Sequence, residues 1–157
     1  AAARHPDRIR ALAMVGTTSP MSVSDAILEA CAADDHAAFD MLTQWGFSKR
    51  HQFGGNRNSG IWMIGNTLRL YERSRPGVLF HDMRACNEYQ DGIERAQGVT
   101  CPVLLILGSE DRLTPVRGTR PLVDAFSDPR VEVLSGAGHT LMVEAPNAML
   151  DALHKVL

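Results

Sequence analysis

Apolar residues gather in three short runs, separated by stretches in which they recur at helical spacing. Residues 9–15 (Ile-Arg-Ala-Leu-Ala-Met-Val) are mostly apolar on both alternating faces, the pattern of a strand inside a parallel sheet. Residues 103–107 (Val-Leu-Leu-Ile-Leu) and 131–134 (Val-Glu-Val-Leu) are the other two strand candidates. Between Met21 and about Gln97 the spacing is helical and no strand is predicted. Ser24 supplies an N-cap for a helix over 24–31, and a second helix spans 35–45 and stops at Gly46. Residues 49–60 hold three glycines and two asparagines and predict a loop. Two further helices follow over 61–71 and 77–89. Pro121 would break a helix begun at Pro115, so a short turn should precede a helix over 120–126. A last helix opens near Pro146 and carries Met149, Leu150, Leu153 and Leu157 on one face. The predicted order is therefore strand, helical insertion, strand, helix, strand, helix. This is an α/β chain, with a core of residues 1–20 and 98–157 and a helical unit of residues 21–97.

Composition narrows the function. In 157 residues, 45% are apolar and 22% charged, which suits one folded domain with a real core. A net charge of -2 offers no basic footprint for nucleic acid or for a membrane surface. No apolar run approaches a membrane span. Cys31, Cys86 and Cys101 are odd in number and lack paired spacing, so they read as reduced thiols in a cytoplasmic protein.

Candidate chemistry sits just after the second and third strands. Gly108-Ser109-Glu110-Asp111-Arg112-Leu113-Thr114-Pro115 follows one, and Ser135-Gly136-Ala137-Gly138-His139 follows the other. Asp111 and His139 would then leave neighbouring strands at the same carboxyl edge, where open α/β sheets bind ligands. An acid there can accept the Nδ1–H of the imidazole and stabilise the imidazolium formed when Nε2 takes a proton. Gly136 and Gly138 would let the loop turn sharply. Taken alone, Asp111 also fits an ordinary turn aspartate, and His139 a loop histidine bonded to a carbonyl. Their order and placement favour the relay. Glu110 is read as a solvated neighbour.

These residues resemble the α/β-hydrolase fold superfamily. Ala2 to Leu12 is similar to the helix end and sixth strand after the nucleophile, and residues 21–97 to an inserted cap. Cys101 to Gly108 with Asp111 and Pro115 resembles the seventh strand and acid loop. Gly136-Ala137-Gly138-His139 with Glu144-Ala145-Pro146 resembles the histidine loop and the start of the final helix. The resemblance implies a nucleophile-His-Asp relay on a small, largely apolar substrate such as a carboxylic ester, with Asp111 and His139 as catalytic residues and no cofactor. With an aspartate nucleophile the same scaffold serves epoxide hydrolases and dehalogenases. Other relatives are C–C hydrolases or cofactor-free haloperoxidases, and a non-catalytic ligand-binding receptor is a third possibility.

No G-x-S-x-G occurs in the chain. The opening Ala1-Ala2-Ala3-Arg4-His5-Pro6 has no initiator Met and no signal-peptide character, and reads as the middle of a domain. The expected partner is therefore the N-terminal half of the same fold, and the chain by itself is expected to be inactive. Ser109 and Ser135 lie too close in sequence to their neighbours in the relay to replace the nucleophile. His81-Asp82 lacks further ligands at metal-binding spacing, so no metal site is expected. His5, His36, His51 and His154 read as surface residues. Trp45, Phe47, Phe53, Trp62, Met63 and Phe80 read chiefly as the core of the helical unit. Trp62 and Met63 are weaker candidates for the substrate pocket.

Overall fold

The computed structural model describes residues 1–56 and 60–156. A one-turn 3-10 helix, Pro6–Arg8, leads into β1 (Leu12–Val15). Among the described residues six helices then intervene: α1 (Asp25–Ala32), α2 (Ala37–Gly46), α3 (Lys49–Gln52), α4 (Met63–Glu72), α5 (Val78–Glu88) and α6 (Gly92–Gln97). The chain returns in β2 (Val103–Gly108), turns through a 3-10 stretch at Val116–Thr119, and continues as α7 (Arg120–Ala125) and β3 (Pro129–Leu134). It closes with α8 (Leu141–Glu144) and α9 (Pro146–Leu153).

The three strands form one parallel sheet in the order β1-β2-β3. Leu12 pairs with Val103, and Val103 in turn with Pro129, so the three parallel strands start level; β2 and β3 also end level, at Gly108 and Leu134, and the loops that follow share one edge. Every residue of β2 is buried, and its alternation divides the core in two. Val103 and Leu105 join Leu122, Phe126, Ala96 and Val99 on one face. Leu104 and Ile106 join Leu134, Leu141 and Ala152 on the other. A third cluster, Ile27, Cys31, Ala38 and Leu42, holds the helical insertion together, and Leu113 from the loop after β2 packs into it.

Several elements depart from the sequence reading. β1 begins at Leu12 rather than residue 9, because the Pro6–Arg8 turn delays pairing until the Leu12 N–H reaches the Pro102 carbonyl at 2.9 Å. β3 begins two residues earlier than predicted, since Pro129 pairs without needing an N–H. Lys49–Gln52 is helical although its surroundings read as loop; the rest of that prediction falls partly on residues 57–59, outside the described residues. α6 was not predicted. Leu150 faces solvent, and the buried stripe of α9 runs through Met149, Ala152 and Leu153; Leu157 lies outside the described residues. No strand occurs in the helical insertion among the described residues.

Candidate active site

Asp111 and His139 meet at the carboxyl edge of the sheet. β2 delivers the acid loop, whose Asp111 N–H closes on the Gly108 carbonyl, and β3 delivers the histidine loop. The two loops are tied together: Ser109 N–H reaches the Leu134 carbonyl at 3.1 Å, and Glu110 N–H the Ala137 carbonyl at 2.9 Å. The Ser109 hydroxyl accepts the Gly136 N–H at 2.8 Å, so this serine braces the loops. Gly136 has the positive φ expected of a sharp turn. Gly138 is needed for space instead: a Cβ there would stand 2.6 Å from the Ser48 nitrogen.

Asp111 Oδ2 lies 2.9 Å from His139 Nδ1. A carboxylate only accepts, so Nδ1 carries the proton and Nε2 the lone pair that a base requires. The Asp111 side chain is 1% exposed, against 33% for His139. Burial pushes the Asp111 carboxyl up, but the His139 hydrogen bond and charge outweigh it, helped by the Thr114 backbone and hydroxyl donors. The net result holds Asp111 below the ordinary aspartate range.

Thr114 is the site residue that sequence reasoning missed. Its hydroxyl oxygen is 2.7 Å from Asp111 Oδ2, 2.9 Å from the Gly16 carbonyl and 3.2 Å from His139 Nδ1. It therefore joins the end of β1 to both Asp111 and His139. The available signal was its spacing: an Asp followed three residues later by Thr and then Pro marks a turn closed through the Asp side chain.

His139 opens onto a cavity of about 280 Å³ between the sheet edge and the helical insertion. Val23, Ile27, Leu42, Trp45, Met83 and Leu113 make its lining largely apolar. Arg112 lies at the same cavity with its guanidinium carbon 6.0 Å from the Trp45 ring centre. Trp45 and Phe80 pack against the core of the insertion, as read from the sequence. Trp62 and Met63 do not line this cavity: Trp62 is 68% exposed, and Met63 is buried elsewhere. Phe53 is also solvent-facing. His51, read as a surface residue, is buried on Glu144. No serine hydroxyl is hydrogen-bonded to the His139 ring among the described residues. No group of three or more His, Cys, Asp or Glu that could hold a metal occurs among them either.

The parallel strands with helical crossovers make up part of the α/β-hydrolase fold. The sequence matches no protein-family model. It is 27% identical over 165 residues to a pimeloyl-[acyl-carrier protein] methyl ester esterase of Chromobacterium violaceum, covering 97% of this chain and 62% of that protein. The structure is similar to that of a thermophilic esterase, with TM-score 0.79 and 26% identity over 97% of this chain and 57% of that one. An enol-lactonase from Burkholderia xenovorans shares the fold at TM-score 0.79 and 19% identity, covering 99% of this chain and 58% of the lactonase. The chain thus spans less than two thirds of each of these relatives.

Proposed function

We propose that this chain supplies the acid and the base of a nucleophile-His-Asp relay in an esterase-like hydrolase. The substrate is a small, largely apolar carboxylic ester. The observation that carries the reading is the Asp111 Oδ2–His139 Nδ1 contact at the rim of an apolar cavity. The likeness to esterases supports it. The nucleophile and the oxyanion donors come from polypeptide outside these residues. That partner half pairs with β1, whose described pairing is with β2 alone and along which an apolar trough of about 450 Å³ runs. Residues 21–97 act as a cap over the ester. The three free thiols support a cytoplasmic setting. No helix among the described residues is long and apolar enough to cross a membrane.

The reaction divides into two transfers. The nucleophile's oxygen attacks the ester carbonyl while His139 Nε2 takes its proton, and Asp111 stabilises the resulting imidazolium. His139 then returns that proton to the departing alkoxide, leaving an acyl-enzyme and an alcohol. A water repeats the attack with His139 again as base, releasing the carboxylic acid and restoring the nucleophile.

The test joins this chain to its upstream half and measures hydrolysis of short-chain aryl esters. Turnover is expected in the joined protein and only background in the chain alone. His139→Ala in the joined protein should cost about 10⁴-fold or more in kcat. Esterase turnover by the chain alone would overturn the assignment of the nucleophile to another segment. A joined protein that binds apolar ligands but turns over no ester, with or without His139, would overturn the hydrolase.

A further inference from the structure

A second buried acid lies behind the histidine loop. The Glu144 side chain is 0% exposed and that of His51 only 7%. Oε2 of Glu144 accepts from Ser48 N–H at 3.0 Å, from Gly138 N–H at 3.1 Å and from His51 Nδ1 at 2.8 Å. Oε1 accepts the Thr140 hydroxyl at 2.9 Å. Two of these donors flank His139; of the others, Ser48 lies in the short segment joining α2 to α3 and His51 on α3 itself. A buried carboxylate holds its charge only when its oxygens are met in this way.

The backbone of the base runs through the same junction. His139 N–H reaches the Gly46 carbonyl at 2.8 Å, and Thr140 N–H the same carbonyl at 3.3 Å. The N–H groups of residues 138, 139 and 140 thus all end on Glu144 or on the last residue of α2. There is no slack: the Cβ that Gly138 lacks would also meet the Gly46 oxygen at 2.8 Å and Glu144 Oε1 at 2.9 Å. Leu42 and Trp45, on that same α2, line the cavity beside His139.

His51 and Ser48 do not make a second relay. The Ser48 hydroxyl is 2.7 Å from Nδ1, the nitrogen that already faces Glu144, whereas a relay needs its nucleophile on Nε2.

We propose that Glu144, held by His51 and the Ser48 N–H, is a positioning residue for His139: it latches the histidine loop to residues 46–51, so that the helix lining the cavity and the catalytic base move as one unit. A ligand that pushes on Leu42 or Trp45 is then felt at the imidazole through Gly46. This deepens the relay proposed above and rests on His139 being the base, but its test reads no turnover.

The test is amide hydrogen exchange with NMR of the His139 ring on this chain. In the wild-type chain the amides of Ser48, Gly138, His139 and Thr140 should open together, with protection agreeing to within about threefold. In Glu144→Gln their protection should drop by about tenfold or more while the β2 amides keep theirs. The downfield Nδ1–H resonance of His139 should be lost in the same variant. A folded Glu144→Gln chain with unchanged protection and an intact Nδ1–H resonance would overturn the latch. If that variant does not fold, the wild-type exchange decides: four amides opening independently would overturn it. Failure of the relay appears elsewhere, as undiminished ester turnover of His139→Ala in the joined protein.

Discussion

Asp111 divides its carboxylate between His139 and its own turn: Oδ2 lies 2.9 Å from His139 Nδ1, while Oδ1 accepts the N–H groups of Leu113 and Thr114 at 2.9 and 2.8 Å. The turn aspartate and the acid of the proposed relay are thus one residue. The turn aims the carboxylate, and the carboxylate aims the imidazole.

Asp111→Asn keeps an oxygen for the turn but turns the histidine partner into a poor acceptor. The imidazole should then lose its Nδ1–H tautomer, visible in the ring ¹⁵N shifts. Ester turnover of the joined protein should fall by about 10⁴-fold.

The same substitution has a pH signature. The carboxyl is held low in the folded chain, so its stabilisation is complete above the unfolded value of about 3.9 and is lost as pH falls through the folded one. Urea melts of wild type and Asp111→Asn should therefore differ by a constant amount near neutral pH. The gap should close below about pH 4.

Thr114→Val removes the hydroxyl between Asp111, the Gly16 carbonyl and His139 while keeping the side-chain shape. Leaving a buried acceptor unmet should cost about 1–3 kcal/mol in denaturant melts. The Nδ1–H resonance of His139 should broaden as the ring loosens.

Gly16 has φ +55°, and a Cβ built on it would stand 3.1 Å from His139 Nδ1. Gly16→Ala should cost about 1–2 kcal/mol for the left-handed backbone alone. It should also displace the ring, so the loss of turnover in the joined protein should exceed what destabilisation explains. Measuring kcat well below the melting temperature separates the two effects.

His36 bridges α2 and α4, with Nε2 3.0 Å from Glu72 Oε1 and Nδ1 3.2 Å from Asp40 Oδ2. The Glu72 bond first, and Asp40 second, raise its pKa above the ordinary histidine value. The stability it adds is complete below about pH 6.5 and is lost as pH rises through the elevated folded value. His36→Gln should flatten that pH dependence, and salt should weaken it because the pair is exposed. NMR titration of the ring and melts from pH 6 to 8 check both.

Features that a short-range pattern encodes were legible in the residues alone. The five consecutive apolar residues from Val103 leave β2 no environment but the middle of a sheet, and a turn after such a strand carries Asp111 to its edge. The same logic placed His139 after β3. Ser24 was legible as an N-cap because its hydroxyl serves an N–H three residues on. Tertiary structure alone decided the rest. His51 and Glu144 stand 93 positions apart and have little meaning until Ser48 is brought beside Gly138. Trp62 and Trp45 are the same residue type in similar helical surroundings, yet one faces solvent and the other the cavity. Thr114 becomes a site residue only when β1 delivers the Gly16 carbonyl to its hydroxyl. Local periodicity sets which face of an element is apolar, but a buried polar group is specified by partners distant in the chain, and only packing supplies them.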